Sequence, residues 1–110
     1  MPAIYGNIKC RCLICRQPPY RYQQTPSFRI STNGGVQEWF EDYEEAHPNH
    51  RHTTHLLSLY PYSQITLNKT PELAKAARKT IERRLAAKDW EDTEWSRANM
   101  ICFYARLKDF

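Results

Sequence analysis

All four histidines of this chain fall within nine positions, in the run HPNHRHTTH at residues 47–55. Imidazoles this close can ligate a metal, move protons, or hydrogen-bond a polar ligand. His52 and His55 are three apart and share a face if the run is helical, with His47, His50, Glu44 and Glu45 just upstream. Those donor types are the ones zinc takes. The spacing is not H-E-x-x-H, however, and Pro48 breaks the geometry between the two histidine pairs. No metal is assigned to the run. Capping, turning and packing suffice as roles for His47, His50 and His55. Arg51-His52 is different, because a fixed cation with directional donors stands beside a group that both donates and accepts. That pairing suits a ligand dense in hydroxyls, such as a sugar, and Trp39, Tyr43, Tyr60 and Tyr62 can supply flat apolar faces for a pyranose.

The cysteines offer a second chemistry. Cys10, Cys12 and Cys15 form C-x-C-x-x-C, and Cys102 lies far along the chain in an apolar run. Structural zinc takes four ligands, commonly as two spaced pairs. Three thiols leave that set one short, so ordinary reduced thiols are the simpler reading and no cofactor is expected.

The elements that must position Arg51 and His52 follow from periodicity. Val36, Trp39, Phe40 and Tyr43 stand at i, i+3, i+4, i+7, which predicts an amphipathic helix over 36–46 with an acidic outer face. His47-Pro48-Asn49 stops it. RHTTHLLSLYP reads as a short helix ending before Pro61, and YSQITLNK as a loop. The clearest element is TPELAKAARKTIERRLAA. Thr70 is a good N-cap, Pro71 fits the first helical position, and Leu73, Ala77, Ile81 and Leu85 make one stripe. WSRANMICFYARLKDF predicts a last helix with Ala98, Ile101, Cys102 and Ala105 on one side. Met100, Phe103, Tyr104 and Leu107 cover much of the rest. A helix apolar nearly all round is buried on most sides, and four helices cannot readily enclose it.

Length and charge narrow the class. At 110 residues the chain makes one small domain. No apolar run approaches the roughly 20 residues that span a bilayer, so no membrane partner is expected. The first residues show neither an apolar core nor a small-residue cleavage site, so no signal peptide is read. Residues 1–37 carry a charge of +5 with no acid, while residues 38–110 sum to −1. The basic character thus belongs to an irregular, proline-containing tail, residues 1–26 with their immediate sequel, and not to a folded face that could dock on nucleic acid. STNGG at 31–35 reads as a turn.

QEWFEDYEEAHPNHRHTTHLLSLYPYSQIT followed by TPELAKAARKTIERR resembles the catalytic helical domain of glycoside hydrolase family 95, the α-L-fucosidases. There a W-x-x-D-[YF]-E-E helix leads into H-R-H-x-S-H-L-x-x-L-[YH]-P, then a TPE-capped helix and a W-S-x-A-W-K-x-N-x-W segment. The resemblance runs over residues 27–110. It departs at the end, where Asn99, Met100, Cys102 and Tyr104 stand in place of Trp, Lys, Asn and Trp. It implies an all-α fold, a partial (α/α)6 barrel of about four helices, which explains the helix apolar on every side. It also implies that Arg51 and His52 hydrogen-bond fucose.

The family's mechanism is inverting. Its acid lies upstream of the matched region, and its aspartate lies downstream in a D-G-N-F-G run that this sequence ends before reaching. No catalytic residue is therefore expected here, and Glu38, Glu41, Glu44, Glu45 and Glu94 read as solvated helix face or loop. The expected partner is a fucosylated glycan, bound by a larger enzyme of which residues 27–110 are a piece. A piece exposing its interior would self-associate. Members of the family are often exported. The rival reading is a stand-alone helical binding module without catalysis, and a weaker one is a small zinc protein using the tail cysteines with the histidines.

Overall fold

The computed structural model describes residues 27–108. The tail 1–26, with Cys10, Cys12 and Cys15, lies outside the described residues. Among those described there are two α-helices and one 3-10 turn, and no strand. The helices are α1, Pro71–Ala86, and α2, Glu94–Arg106. The 3-10 turn is Thr54–Leu56, where a longer helix was expected.

α1 forms where the stop and start signals place it. Pro71 opens it, Glu72 faces the positive end of the dipole, and Arg83 and Arg84 lie in the last turn. Thr70 holds the N-cap position, but its side chain does not cap. Its Oγ1 accepts from the Thr66 amide at 2.9 Å and donates to the Thr66 carbonyl at 3.1 Å, closing the preceding loop instead. Of the predicted stripe, Ala77 and Ile81 are fully buried, Leu73 is half-buried and Leu85 is exposed. The buried face is shifted toward Ala74, Ala77, Ile81 and, unexpectedly, Arg84.

α2 begins with a reciprocal cap. The Ser96 amide donates to Thr93 Oγ1 at 3.2 Å, and the Thr93 amide donates to Ser96 Oγ at 2.8 Å. Its buried face is Ser96, Met100, Phe103 and Leu107. The predicted stripe points the other way: Ala98, Ile101 and Ala105 are exposed and Cys102 is half-buried. Met100 and Phe103 outweigh two alanines in burial free energy, so they choose the side that faces the core.

The core joins these two faces to Val36, Leu56, Leu59 and Ile65. Fully burying Leu56, Ile81 and Phe103 contributes about 1.5–3 kcal/mol each.

The helix expected over 36–46 is absent; the segment is irregular. A lone antiparallel bridge pairs Ile30 with Val36. The Val36 amide donates to Thr80 Oγ1 of α1 at 2.9 Å, and the Gln37 amide to the Arg29 carbonyl at 2.9 Å. Asp42 accepts from Ser31 Oγ at 2.5 Å and the Thr32 amide at 2.7 Å. A helix draws its stability mainly from packing an apolar stripe. Here Val36 alone of the stripe is buried in the core, while Trp39, Phe40 and Tyr43 are 63%, 69% and 61% exposed, too little burial to hold a helix. The STNGG turn is as expected: the Gly34 amide donates to the Ser31 carbonyl at 2.8 Å, with Gly34 at φ +83°.

Candidate functional site

The histidine run does not form one cluster. His52 is exposed, His50 half-buried, His47 exposed and His55 buried. A turn closed by the His50 amide on the His47 carbonyl, 3.1 Å, sets the path. The His52 amide then donates to His50 Nδ1 at 3.1 Å, and the two rings stack with centroids 5.0 Å apart. On its other side His52 meets Trp95 at 5.2 Å, tilted by 59°. A groove of about 430 Å³ runs past His52, His50, His47, Trp39, Tyr43 and Glu44.

Arg51 is exposed and is not among the residues that line that groove. Glu91 Oε2 accepts from its Nη1 at 2.9 Å and its backbone amide at 3.3 Å. The amide and guanidinium of Arg51 hold the Glu91 carboxyl below its ordinary value. The loop bearing Glu91 is itself tied down, since the Glu91 amide donates to the Asn49 carbonyl at 3.0 Å and the Asn49 side chain donates to the Asp89 carbonyl at 3.2 Å.

The aromatic residues expected around the pair are divided. Trp39 and Tyr43 line the histidine groove. Tyr62 lies in a second groove of about 600 Å³ with Phe28, Phe40 and the other side of Trp39. Tyr60 is half-buried against the core, with the Arg106 guanidinium 5.7 Å from its ring centroid. Sequence reasoning missed Trp95, whose ring is brought to His52 by the position of α2 and not by any sequence proximity.

Beneath the loop sits a charged cluster that the sequence did not announce. Arg84 is 3% exposed. Its Nη1 donates to the carbonyls of His47 at 3.1 Å and His50 at 3.2 Å; its Nη2 donates to Glu45 Oε1 at 3.4 Å and lies 3.6 Å from Glu38 Oε2. Glu38 and Glu45, read as solvated helix face, are instead partly buried against this guanidinium. His55 Nδ1 stands 3.7 Å from Glu38 Oε2, too far for a hydrogen bond.

Ligating atoms of Glu38, Glu45 and His55 lie within 4.8 Å of one another. Arg84 supplies the positive charge for both carboxylates, with Arg83 Nη2 at 3.6 Å from Glu45 adding a second. A metal ion there would face two guanidinium groups, so the donors do not favour one. The His52–His55 pair considered for zinc is split between the groove and the interior. Glu38 does not suit general acid work either. The His55 side chain, and more weakly Arg84, hold its carboxyl below the ordinary value against the upward push of partial burial, whereas a general acid needs the opposite shift.

The model of the glycosyl hydrolase family 95 catalytic domain matches residues 16–110. The chain belongs to that family. A curated relative, alpha-L-fucosidase 2 of Arabidopsis thaliana, is 42% identical over 82 residues, which cover 74% of this chain and 9% of that protein. The chain therefore spans less than a tenth of the length of this relative. No helix among the described residues is long and apolar enough to cross a membrane.

Proposed function

We propose that this chain, over residues 27–110, is part of an (α/α)6-barrel glycoside hydrolase of the α-L-fucosidase type. In this reading Arg51 and His52 form part of the subsite for a terminal fucose on a glycan. The observation that carries it is the placing of His52. Its imidazole lines a groove, with the His50 ring stacked on it and the Trp95 indole tilted against it, and the side chain of the next residue back, Arg51, is held by Glu91. Flat rings next to directional donors match a pyranose, which offers C–H on one face and hydroxyls at its rim.

Binding is the whole role assigned to this segment. Inverting hydrolysis takes an acid and a water-activating base flanking the bond, and the family resemblance places both outside the matched residues. Exposed Phe40 and Ile101 then belong to surfaces that the remainder of the barrel covers, and without it the segment self-associates.

Saturation-transfer NMR with L-fucose tests the reading. Weak binding is expected, with transfer from the His52 and Trp95 rings, diminished in Arg51→Ala and His52→Ala and absent for D-glucose. Transfer that ignores both substitutions, or that D-glucose matches, overturns it.

A further inference from the structure

We infer that Arg84, which nothing in the family resemblance singles out, is the positioning residue that sets the geometry of the Arg51–His52 pair. The inference rests on the sugar-subsite reading for its functional meaning and on geometry alone for its substance. Arg84 sits in the last turn of α1, more than thirty positions from the loop it holds. A carbonyl buried without a donor is costly. The turn 47–50 presents two carbonyls to Arg84: that of His50, and that of His47, which already accepts from the His50 amide; a single Nη1 donates to both. Nη2 meanwhile faces Glu45 and Glu38, so the planar fork is held from both sides and its direction is fixed.

The consequence travels two residues. Fixing the His50 carbonyl fixes the backbone from which the His50 ring projects. That ring accepts from the His52 amide at 3.1 Å and stacks on the His52 imidazole at 5.0 Å. His52 is thereby oriented toward the groove and Trp95. Arg51, between the two histidines, is delivered to Glu91. Lysine keeps the charge but offers a point donor on a flexible stem and cannot span two carbonyls and two carboxylates at once.

The experiment compares Arg84→Lys and Arg84→Gln with the unaltered chain. The histidine ring resonances report the His50–His52–Trp95 stack, the Ile81 and Phe103 resonances report the core, and L-fucose titration reports the subsite. Expected for Arg84→Lys are retained helicity and core shifts, lost ring-current dispersion at His50 and His52, and fucose affinity weakened about tenfold, a loss equivalent to about 1.4 kcal/mol. Unchanged histidine shifts in Arg84→Lys overturn the inference. So does loss of helicity in both variants, which would make Arg84 a residue of core stability only. Altered histidine shifts in a chain that never binds fucose leave the positioning role standing and sink the sugar reading instead.

Discussion

Glu91 grips Arg51 twice, through the backbone amide at 3.3 Å and through the guanidinium at 2.9 Å, across forty positions of sequence. The contact is exposed on both sides, so solvent and salt screen it and it adds little to folding stability. Its effect is on orientation. Glu91→Gln keeps an acceptor but removes the charge, and is expected to leave the thermal midpoint unchanged while raising the mobility of the Arg51 side chain. Guanidinium 15N relaxation checks this. A large fall in the midpoint would show that Glu91 supports the fold and not the pose of Arg51.

Stability should fall on acidification, and Glu38 should contribute to the fall. Its carboxyl is held below the ordinary value of 4.5 by the His55 side chain and, more weakly, by Arg84. A group whose pKa is lower folded than unfolded stabilises in full above its unfolded value, and that contribution is lost as pH drops through the folded value. Asp42 and Asp92 are shifted the same way, by Ser31 with the Thr32 amide and by Arg97 respectively. Urea midpoints taken from about pH 6 down to about pH 3 should therefore decline. In Glu38→Gln the decline should be shallower, with a lower starting midpoint because Arg84 loses a partner. An unaltered slope would mean that Glu38 titrates alike folded and unfolded.

How much of this was legible depends on whether the signal was local. α1 was readable because Pro71, Glu72 and the Ala77–Ile81 spacing act within one helix. The 36–46 segment was misread because its stripe has the right period, but only Val36 of it reaches the core. The bonds that fix its ends, to Thr80, Arg29, Ser31 and Thr32, come from outside it. Arg84 drew no assignment from the sequence, where it follows another arginine. Only the fold shows that the histidine turn lays two carbonyls on it. Trp95 was invisible as a site residue for the same reason. The family motif points to Arg51 and His52, while the groups packed around them come from α1, α2 and the loop between, which no local pattern reveals.

The start of α2 offers a separable test. Thr93 and Ser96 cap each other, and Ser96 Oγ also donates to the Glu91 carbonyl at 3.0 Å. Thr93→Ala removes one acceptor and is expected to cost about 1 kcal/mol. Ser96→Ala should cost more, because Ser96 is 1% exposed and its loss also strands the Thr93 amide and the Glu91 carbonyl. Since Glu91 holds Arg51, Ser96→Ala should disturb the Arg51 resonances where Thr93→Ala does not. Equal effects of the two on Arg51 would uncouple the cap from the subsite.

The outer face of α2 decides how the isolated segment behaves in solution. Ile101 is 66% exposed and Trp95 53% exposed, on the side of α2 away from Phe103 and Leu107. An apolar surface of this kind on a free chain finds another copy. Ile101→Lys places a solvated charge on that face without touching the buried one, and surface changes of this sort alter stability by about 0.5 kcal/mol or less. Sedimentation should show the unaltered chain shifting to larger species as concentration rises, and Ile101→Lys staying smaller at equal helicity. A chain that is monomeric at every concentration, with or without the substitution, would mean that this surface is not sticky enough to need a covering partner. The barrel reading would then lose its physical support, because a helix that tolerates water on its outer face does not require a ring of neighbours.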